Sequence, residues 1–157
     1  LNLLLDTIIS RCQIVRFKPY SYRKLKQLLE QSKYTNMNLL SDSEVFKNLI
    51  FISNGSPGKL LNNLEIWNKI PENIKNDIGF PLKNFENILS LAKNIASNLD
   101  LNQQEFILNY MQRDWWERTR NKKNIEFLEN IKNNINAHVQ PRISWEVGLL
   151  KIKLTES

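Results

Sequence analysis

The order of hydrophobic and polar residues divides the chain into a short strand-like segment followed by helices. Polar and apolar residues alternate over 13–17, with β-branched side chains among them, which predicts a half-buried strand that Pro19 ends. A short helical segment, Thr7–Arg11, precedes this strand. From residue 20 onward, apolar residues recur every three or four positions, and this period is typical of amphipathic α-helices. The predicted fold class is therefore all-α, apart from the short N-terminal strand.

Three short helices come first and predict a small bundle over residues 19–70. Ser21 is a suitable N-cap for the first helix, because its hydroxyl can accept a bond from a free backbone N–H. Ser41–Glu44 has the pattern of a capping box before the second helix. Ser56 followed by Pro57 starts the third, since proline is favoured at the first helical position.

A second helical domain is predicted over residues 71–157, after a short helix and a loop that contain Pro71, Gly79 and Pro81. Four longer amphipathic helices follow and can bury one another's apolar stripes. Their predicted ranges are Leu82–Leu99, Leu101 to about Arg120, Lys123–Ala137 and a last helix that begins at Pro141. The apolar pattern of the first includes Phe85 and Leu89, and that of the second consists of Phe106, Ile107, Tyr110, Met111 and Trp115.

The last helix carries apolar residues on two of its sides. One row is predicted to face the core and consists of Ile143, Val147, Leu150 and Leu154. Trp145 and Leu149 lie on another side together with Ile152. Burial on both sides predicts that Trp145 and Leu149 contact a partner subunit, where aromatic residues are enriched. The alternative is that neighbouring helices of the same chain cover them.

Composition narrows the class of protein. The chain has 157 residues, of which 41% are hydrophobic, enough for one domain or two small ones. A formal net charge of +6 favours an acidic partner or reflects only a basic surface, and the sequence leaves both open. The single cysteine, Cys12, and the single histidine, His138, provide neither an internal disulfide nor a zinc cluster. Without an evident membrane or export segment, a reducing cytoplasm is the predicted location.

Candidate catalytic groups are few. The acidic pairs Asp42 with Glu44 and Asp114 with Glu117 are interpreted as a helix cap and a solvated helix face. His138 precedes the last helix without a nearby nucleophile, which indicates a loop or packing residue. No phosphate-binding loop is present in this sequence, and no cofactor is expected.

Adjacent tryptophans beside arginines give one candidate surface for nucleic acid. Trp115 and Trp116 lie near Arg113, Arg118 and Arg120, a composition that can stack bases and bind phosphates. Neighbouring helix residues point about 100° apart, however, which favours one ring in the core and the other on a flank.

Ser10, Arg11 and Cys12 stand in the segment Thr-Ile-Ile-Ser-Arg-Cys-Gln, and this segment resembles the end of the ATPase-like domain of bacterial clamp-loader subunits. The resemblance implies that Arg11 is an arginine finger, which acts in trans on the ATP site of a neighbouring subunit. A planar, permanently charged guanidinium suits that role. Asp6 stands where the family commonly has proline, which should alter a helix start only.

Two further segments resemble the delta-prime type of clamp-loader subunit. Gly55, Ser56, Pro57 and Gly58 are similar to its Gly-Ser-Pro-Gly segment. ATP-hydrolysing relatives have a nucleotide-sensing arginine where this chain has Gly58, so the resemblance implies a degenerate sensor that binds no ATP productively. The segment 136–150 is similar to the last helix of the collar domain that holds such subunits together.

The resemblance implies a non-catalytic accessory subunit of the bacterial replicative DNA polymerase holoenzyme. Residues 1–18 would be the remnant of an AAA+ domain, 19–70 a three-helix lid and 71–157 a helical collar. The implied partners are gamma/tau and delta types of subunit in a hetero-pentamer, which brings the sliding clamp to primed DNA. Because Leu1 stands where a methionine would open a chain, a longer protein is expected. Two alternatives remain open: an ATP-hydrolysing gamma/tau-type subunit and a helical single-strand-binding module.

Overall fold

The protein is known from a computed structural model that describes residues 18–31 and 43–155. These residues are helical apart from short connections, which confirms the all-helical prediction for this part of the chain. The helices are α1 (Tyr22–Gln31), α2 (Glu44–Ile52), α3 (Pro57–Lys69), α4 (Glu72–Asp77), α5 (Phe85–Asn98), α6 (Leu101–Thr119), α7 (Lys122–Asn136) and α8 (Pro141–Thr155). The predicted helix at 7–11 and strand at 13–17 lie outside the described residues.

Side-chain caps fix the starts of the first three helices. The Ser21 hydroxyl accepts a bond from the Lys24 N–H at 3.4 Å, as predicted for the start of α1. Ser43 is the N-cap of α2 and accepts from the Phe46 N–H. The predicted capping box Ser41–Glu44 is therefore wrong, because Glu44 is the first helical residue and not the third. Ser56 caps α3 ahead of Pro57, as predicted.

Later helices begin at caps of the same kind. In α5 the start is Phe85 rather than the predicted Leu82, because the Asn84 side chain caps it by accepting from the Asn87 N–H at 2.9 Å. Asp100 and Gln103 form a complete capping box at the start of α6. No helix in the described part of the chain combines the length and apolar character needed to cross a membrane.

The core is organised around α6, which packs against α2, α3 and α7, while α8 packs against α5 and α7. Trp67 of α3 stacks on Tyr110 of α6 with ring centroids 4.6 Å apart. Buried side chains from Leu25 in α1 to Ile152 in α8 form one continuous cluster. That cluster includes residues on both sides of the predicted domain boundary at residues 70 and 71. The division into a domain of 19–70 and a domain of 71–157 stays a prediction.

The predicted core-facing row of α8 is wrong. Trp145 and Leu149, predicted to contact a partner subunit, are fully buried within this chain together with Ile152. The row predicted to face the core contains instead the exposed residues Ile143, Val147 and Leu154 and the partly buried Leu150.

Close packing of α8 against α7 explains this orientation. A side chain at Gly148 would overlap the side chain of Ile131 in α7, so the glycine lies where the two helices approach most closely. The residues beside Gly148 on that face are Trp145, Leu149 and Ile152. The Trp145 indole N–H donates to the Gln104 side-chain oxygen at 3.0 Å, which satisfies the polar atom of the buried ring.

One further pair was predicted on the wrong side of its helix. Phe85 and Leu89 in the apolar pattern of α5 are about half exposed, at 49% and 43%, whereas Leu91 is buried in their place. The predicted core residues of α6, which are Phe106, Ile107, Tyr110, Met111 and Trp115, are all buried, which confirms them.

Candidate functional site

The outer side of α8 carries an apolar stripe formed by Ile143, Val147, Leu150 and Leu154. At about 100° per residue these positions share one side of the helix, opposite the buried side that holds Trp145 and Leu149. Three of the four side chains are strongly exposed: Ile143 at 50%, Val147 at 46% and Leu154 at 64%. A row of exposed branched side chains along one helix is a surface that a second helix can cover.

Polar residues flank the apolar stripe on both sides. Arg142 donates from Nε to Glu146 Oε1 at 2.8 Å on one flank, and Lys151 is exposed on the other. An apolar centre with a charged rim is the usual anatomy of a protein–protein interface. The stripe of α8 therefore has the composition of a docking surface.

The glycine segment between α2 and α3 is a tight turn against the N-terminal end of the described chain. Asn54 and Gly55 have positive φ values of 50° and 75°. The Gly55 carbonyl accepts from the Tyr20 N–H at 2.9 Å. A Cβ on Gly55 would lie 2.5 Å from Pro19 Cβ and 2.9 Å from the Tyr20 carbonyl oxygen. Glycine is thus required at residue 55 both by its backbone angle and by this close contact.

Gly58 is in a different position. It lies in the first turn of α3, and a Cβ added there would meet no atom within 4 Å. A β-carbon therefore has room at residue 58, and unlike Gly55 this position does not require glycine.

A buried carboxylate joins α2 to α6. Asp114 is only 4% exposed, and it accepts from the Asn48 amide at 3.0 Å. Arg118 donates to the same carboxylate from Nε at 2.8 Å and from a terminal nitrogen at 3.1 Å. That terminal nitrogen also bonds Glu44 at 3.1 Å. The prediction that Asp114 lies on a solvated helix face is therefore wrong, and the side chain fixes one helix to another.

The groups around Asp114 also affect the pKa of the Tyr110 hydroxyl. Burial, with a further contribution from the negative charge of Asp114, raises the pKa of Tyr110 from 10.0 to about 12. A side-chain hydrogen bond with Asn48 opposes part of that increase. Hydrogen bonding to Asp114 also raises the pKa of the Arg118 guanidinium. The arginine therefore keeps its charge and the tyrosine keeps its proton under ordinary conditions.

The remaining predicted residues lie as follows. Trp115 is fully buried and donates from its indole N–H to the Ile78 carbonyl at 2.9 Å, while Trp116 is 37% exposed. This confirms that one ring lies in the core and the other on a flank. His138 lies in the exposed loop before α8, as predicted. Ser10, Arg11 and Cys12 fall outside the described residues, so the arginine finger stays a prediction.

Two sequence signals point to the buried side of α8 and to the buried carboxylate of α6. Gly148 in the middle of a helical pattern is itself a sign of close helix packing, and it marks the buried side of α8. Asp114 follows Tyr110 and Met111 by four and three residues, which places a carboxylate on the apolar stripe of α6. A charged residue on a core stripe indicates a buried polar partner.

Comparison with known proteins identifies a family for most of the chain. Residues 23–152 match the family model described as "Cyanobacterial DNA polymerase III delta prime, C-terminal domain". No solved structure matches the chain. The family match covers well over half of the sequence and includes the glycine segment, the buried junction of α2 with α6 and most of α8. The chain therefore belongs to the family of the DNA polymerase III delta prime C-terminal domain.

Proposed function

We propose that this chain works as a docking part of a clamp-loader subunit, which contacts partner subunits through the outer stripe of α8. The observation that carries the proposal is the row Ile143, Val147 and Leu154, which stays exposed although the opposite side of the helix is fully buried. Removing such a row from water is favourable by about 25 cal/mol for each Å² of apolar surface buried. The membership of a polymerase III subunit family supports subunits of gamma/tau and delta types as the partners.

Arg11 supplies the second part of the proposal. In the complete subunit it would enter the ATP site of a neighbouring subunit and stabilise charge on the transferred phosphoryl group. The basis for this role is the resemblance of the segment around Ser10–Cys12 to clamp-loader subunits. Gly58 supports a lack of nucleotide sensing by this chain itself, because glycine has no side chain that could reach a phosphate.

The docking surface is tested by charge substitution on the exposed stripe. The double variant Ile143→Glu with Val147→Glu should stay helical by circular dichroism, because both side chains are about half exposed. It should nevertheless fail to co-elute with the gamma/tau-type and delta-type partners in size-exclusion chromatography with light scattering. Burying two uncompensated carboxylates would weaken assembly by at least about a hundredfold.

Phe85→Glu with Leu89→Glu in α5 is the matched control, since these two residues are exposed to a similar degree, at 49% and 43%. The control should assemble like the wild type. If the α8 variant also assembles normally, the outer stripe is not the docking surface. If only the α5 variant fails to assemble, the interface lies on α5 instead.

The arginine finger is tested in the assembled complex with Arg11→Ala, and with Arg16→Ala as a control from the same segment. Hydrolysis at the single adjoining ATP site should fall by about 10³-fold or more with Arg11→Ala, while assembly stays intact. Arg16→Ala should leave the rate unchanged. Equal rates for the two variants would remove Arg11 from the proposed mechanism.

A further inference from the structure

Two adjoining hollows on the surface of α1, α2 and α6 are together named the groove. Its larger part has a volume of about 970 Å³ and is lined by Tyr20, Tyr22 and Lys47. A second part of about 410 Å³ is lined by Trp116. Phe51 and Arg113 line both parts, so the two parts adjoin at this pair.

Exposed aromatic rings are concentrated in this groove. Five aromatic side chains are exposed among the described residues, and four of them line it: Tyr20 at 46%, Tyr22 at 38%, Phe51 at 54% and Trp116 at 37%. The fifth, Phe85, lies on α5. Aromatic side chains bury large apolar areas when they can, so four exposed rings along one track indicate a surface that receives a ligand.

Positive charge accompanies the rings. Residues 18–31, which include all of α1, contain four basic side chains and one carboxylate, Glu30. Lys47 lines the larger part of the groove. The Arg113 guanidinium lies 3.6 Å from the centre of the Phe51 ring, and the Arg120 guanidinium lies 5.5 Å from that of Trp116. Both arginines pair with one carboxylate, Glu117, so this cluster keeps a net charge of about +1.

We propose that the groove binds single-stranded nucleic acid. Unpaired bases offer flat faces that stack on the rings, and the phosphates meet the basic side chains around them. An acidic polypeptide would satisfy the charges but has no row of planar groups to use the four rings. A duplex keeps its bases stacked on each other and leaves no base face for these rings. This site differs from the Trp115 and Trp116 pair suggested by the sequence, because Trp115 is buried.

Fluorescence anisotropy of a labelled oligothymidylate, with the whole chain and no partner subunit, tests the proposal. The wild type should bind the single strand more tightly than a duplex of the same length, with an affinity that falls as salt is raised. Phe51→Ala and Tyr22→Ala should each weaken binding by about tenfold, as expected for the loss of one stacked base. Phe85→Ala should bind like the wild type.

The controls separate stacking from simple charge attraction. Phe51 and Phe85 are exposed to similar degrees, so neither substitution should change the folded state, which circular dichroism checks. Equal affinities for the two variants, or equal affinities for duplex and single strand, would overturn the proposal. Displacement of the oligonucleotide by polyglutamate, with the same strength in Phe51→Ala as in the wild type, would identify an acidic protein as the occupant instead. No partner subunit is present, so the result is independent of the α8 docking experiment.

Discussion

Replacing Asp114 with alanine should destabilise the fold strongly, although the residue lies in no catalytic site. The carboxylate is 4% exposed and accepts hydrogen bonds from Asn48 and from two nitrogens of Arg118. It therefore holds α2 against α6 from inside the core. Its removal leaves the Asn48 amide and the Arg118 guanidinium without this acceptor, and the two side chains differ in their exposure to water.

The size of the effect follows from that difference. The Asn48 side chain is buried, so the loss of its acceptor costs about 1–3 kcal/mol. The Arg118 side chain is 42% exposed and keeps its bond to Glu44, so water compensates for part of its loss. Together with the cavity left by the carboxylate, the free energy of unfolding should fall by about 3 kcal/mol. In a protein of this size the melting temperature would fall by about 6–12 °C.

Urea unfolding followed by circular dichroism measures this change, with Glu117→Ala as the control on the same helix. Glu117 pairs with two arginines at the surface, and its loss should cost less than about 1 kcal/mol. A double-mutant cycle of Asn48→Ala with Asp114→Ala should give a coupling energy of at least about 1 kcal/mol. Equal losses for Asp114→Ala and Glu117→Ala, or no coupling to Asn48, would refute the reasoning.

Three further predictions concern backbone space and protonation. Gly148→Ala should lower the free energy of unfolding by about 1–3 kcal/mol because of overlap with Ile131. In urea unfolding, Ile131→Ala should then cost less in the Gly148→Ala variant than in the wild type. The free energy of unfolding should fall between pH 10 and pH 12, because Tyr110 loses its proton at a lower pH in the unfolded state than in the folded state. The fall should be about 2–3 kcal/mol smaller in Tyr110→Phe, which has no hydroxyl to titrate. Gly58→Ala should raise the melting temperature by a few degrees, whereas Gly55→Ala should lower it; the opposite order would contradict the geometry of the turn.

Local signals in the sequence were sufficient to locate most of the helices. Ser21, Ser56 with Pro57, and the period of apolar residues in α6 predicted helix starts and buried faces that the structure confirms. Such signals are read from neighbouring residues and depend little on the rest of the fold. Element starts and well-defined stripes are for that reason predictable.

The orientation of α8 was not predictable from its apolar residues alone. Its two apolar sides are alike in hydrophobicity, and the choice between them depends on what α5 and α7 offer as partners. Ile131 in α7 leaves space for a glycine and for no larger residue, which places Gly148 and Trp145 inside. Packing between helices that are distant in the sequence therefore decides which of the two apolar sides is buried. The candidate interface is therefore the exposed side of α8, opposite the buried Trp145 and Leu149.

The bond between the Tyr20 N–H and the Gly55 carbonyl has a mechanical consequence. The described part of the chain begins at residue 18, four residues before α1. Within these four residues, this bond holds the backbone on the α2–α3 turn. Pro19 adds a stiff φ angle and packs against Gly55 without room for a methyl group. The backbone just before α1 is thus anchored on the α2–α3 turn. A change in the conformation of this turn would therefore also shift the start of α1.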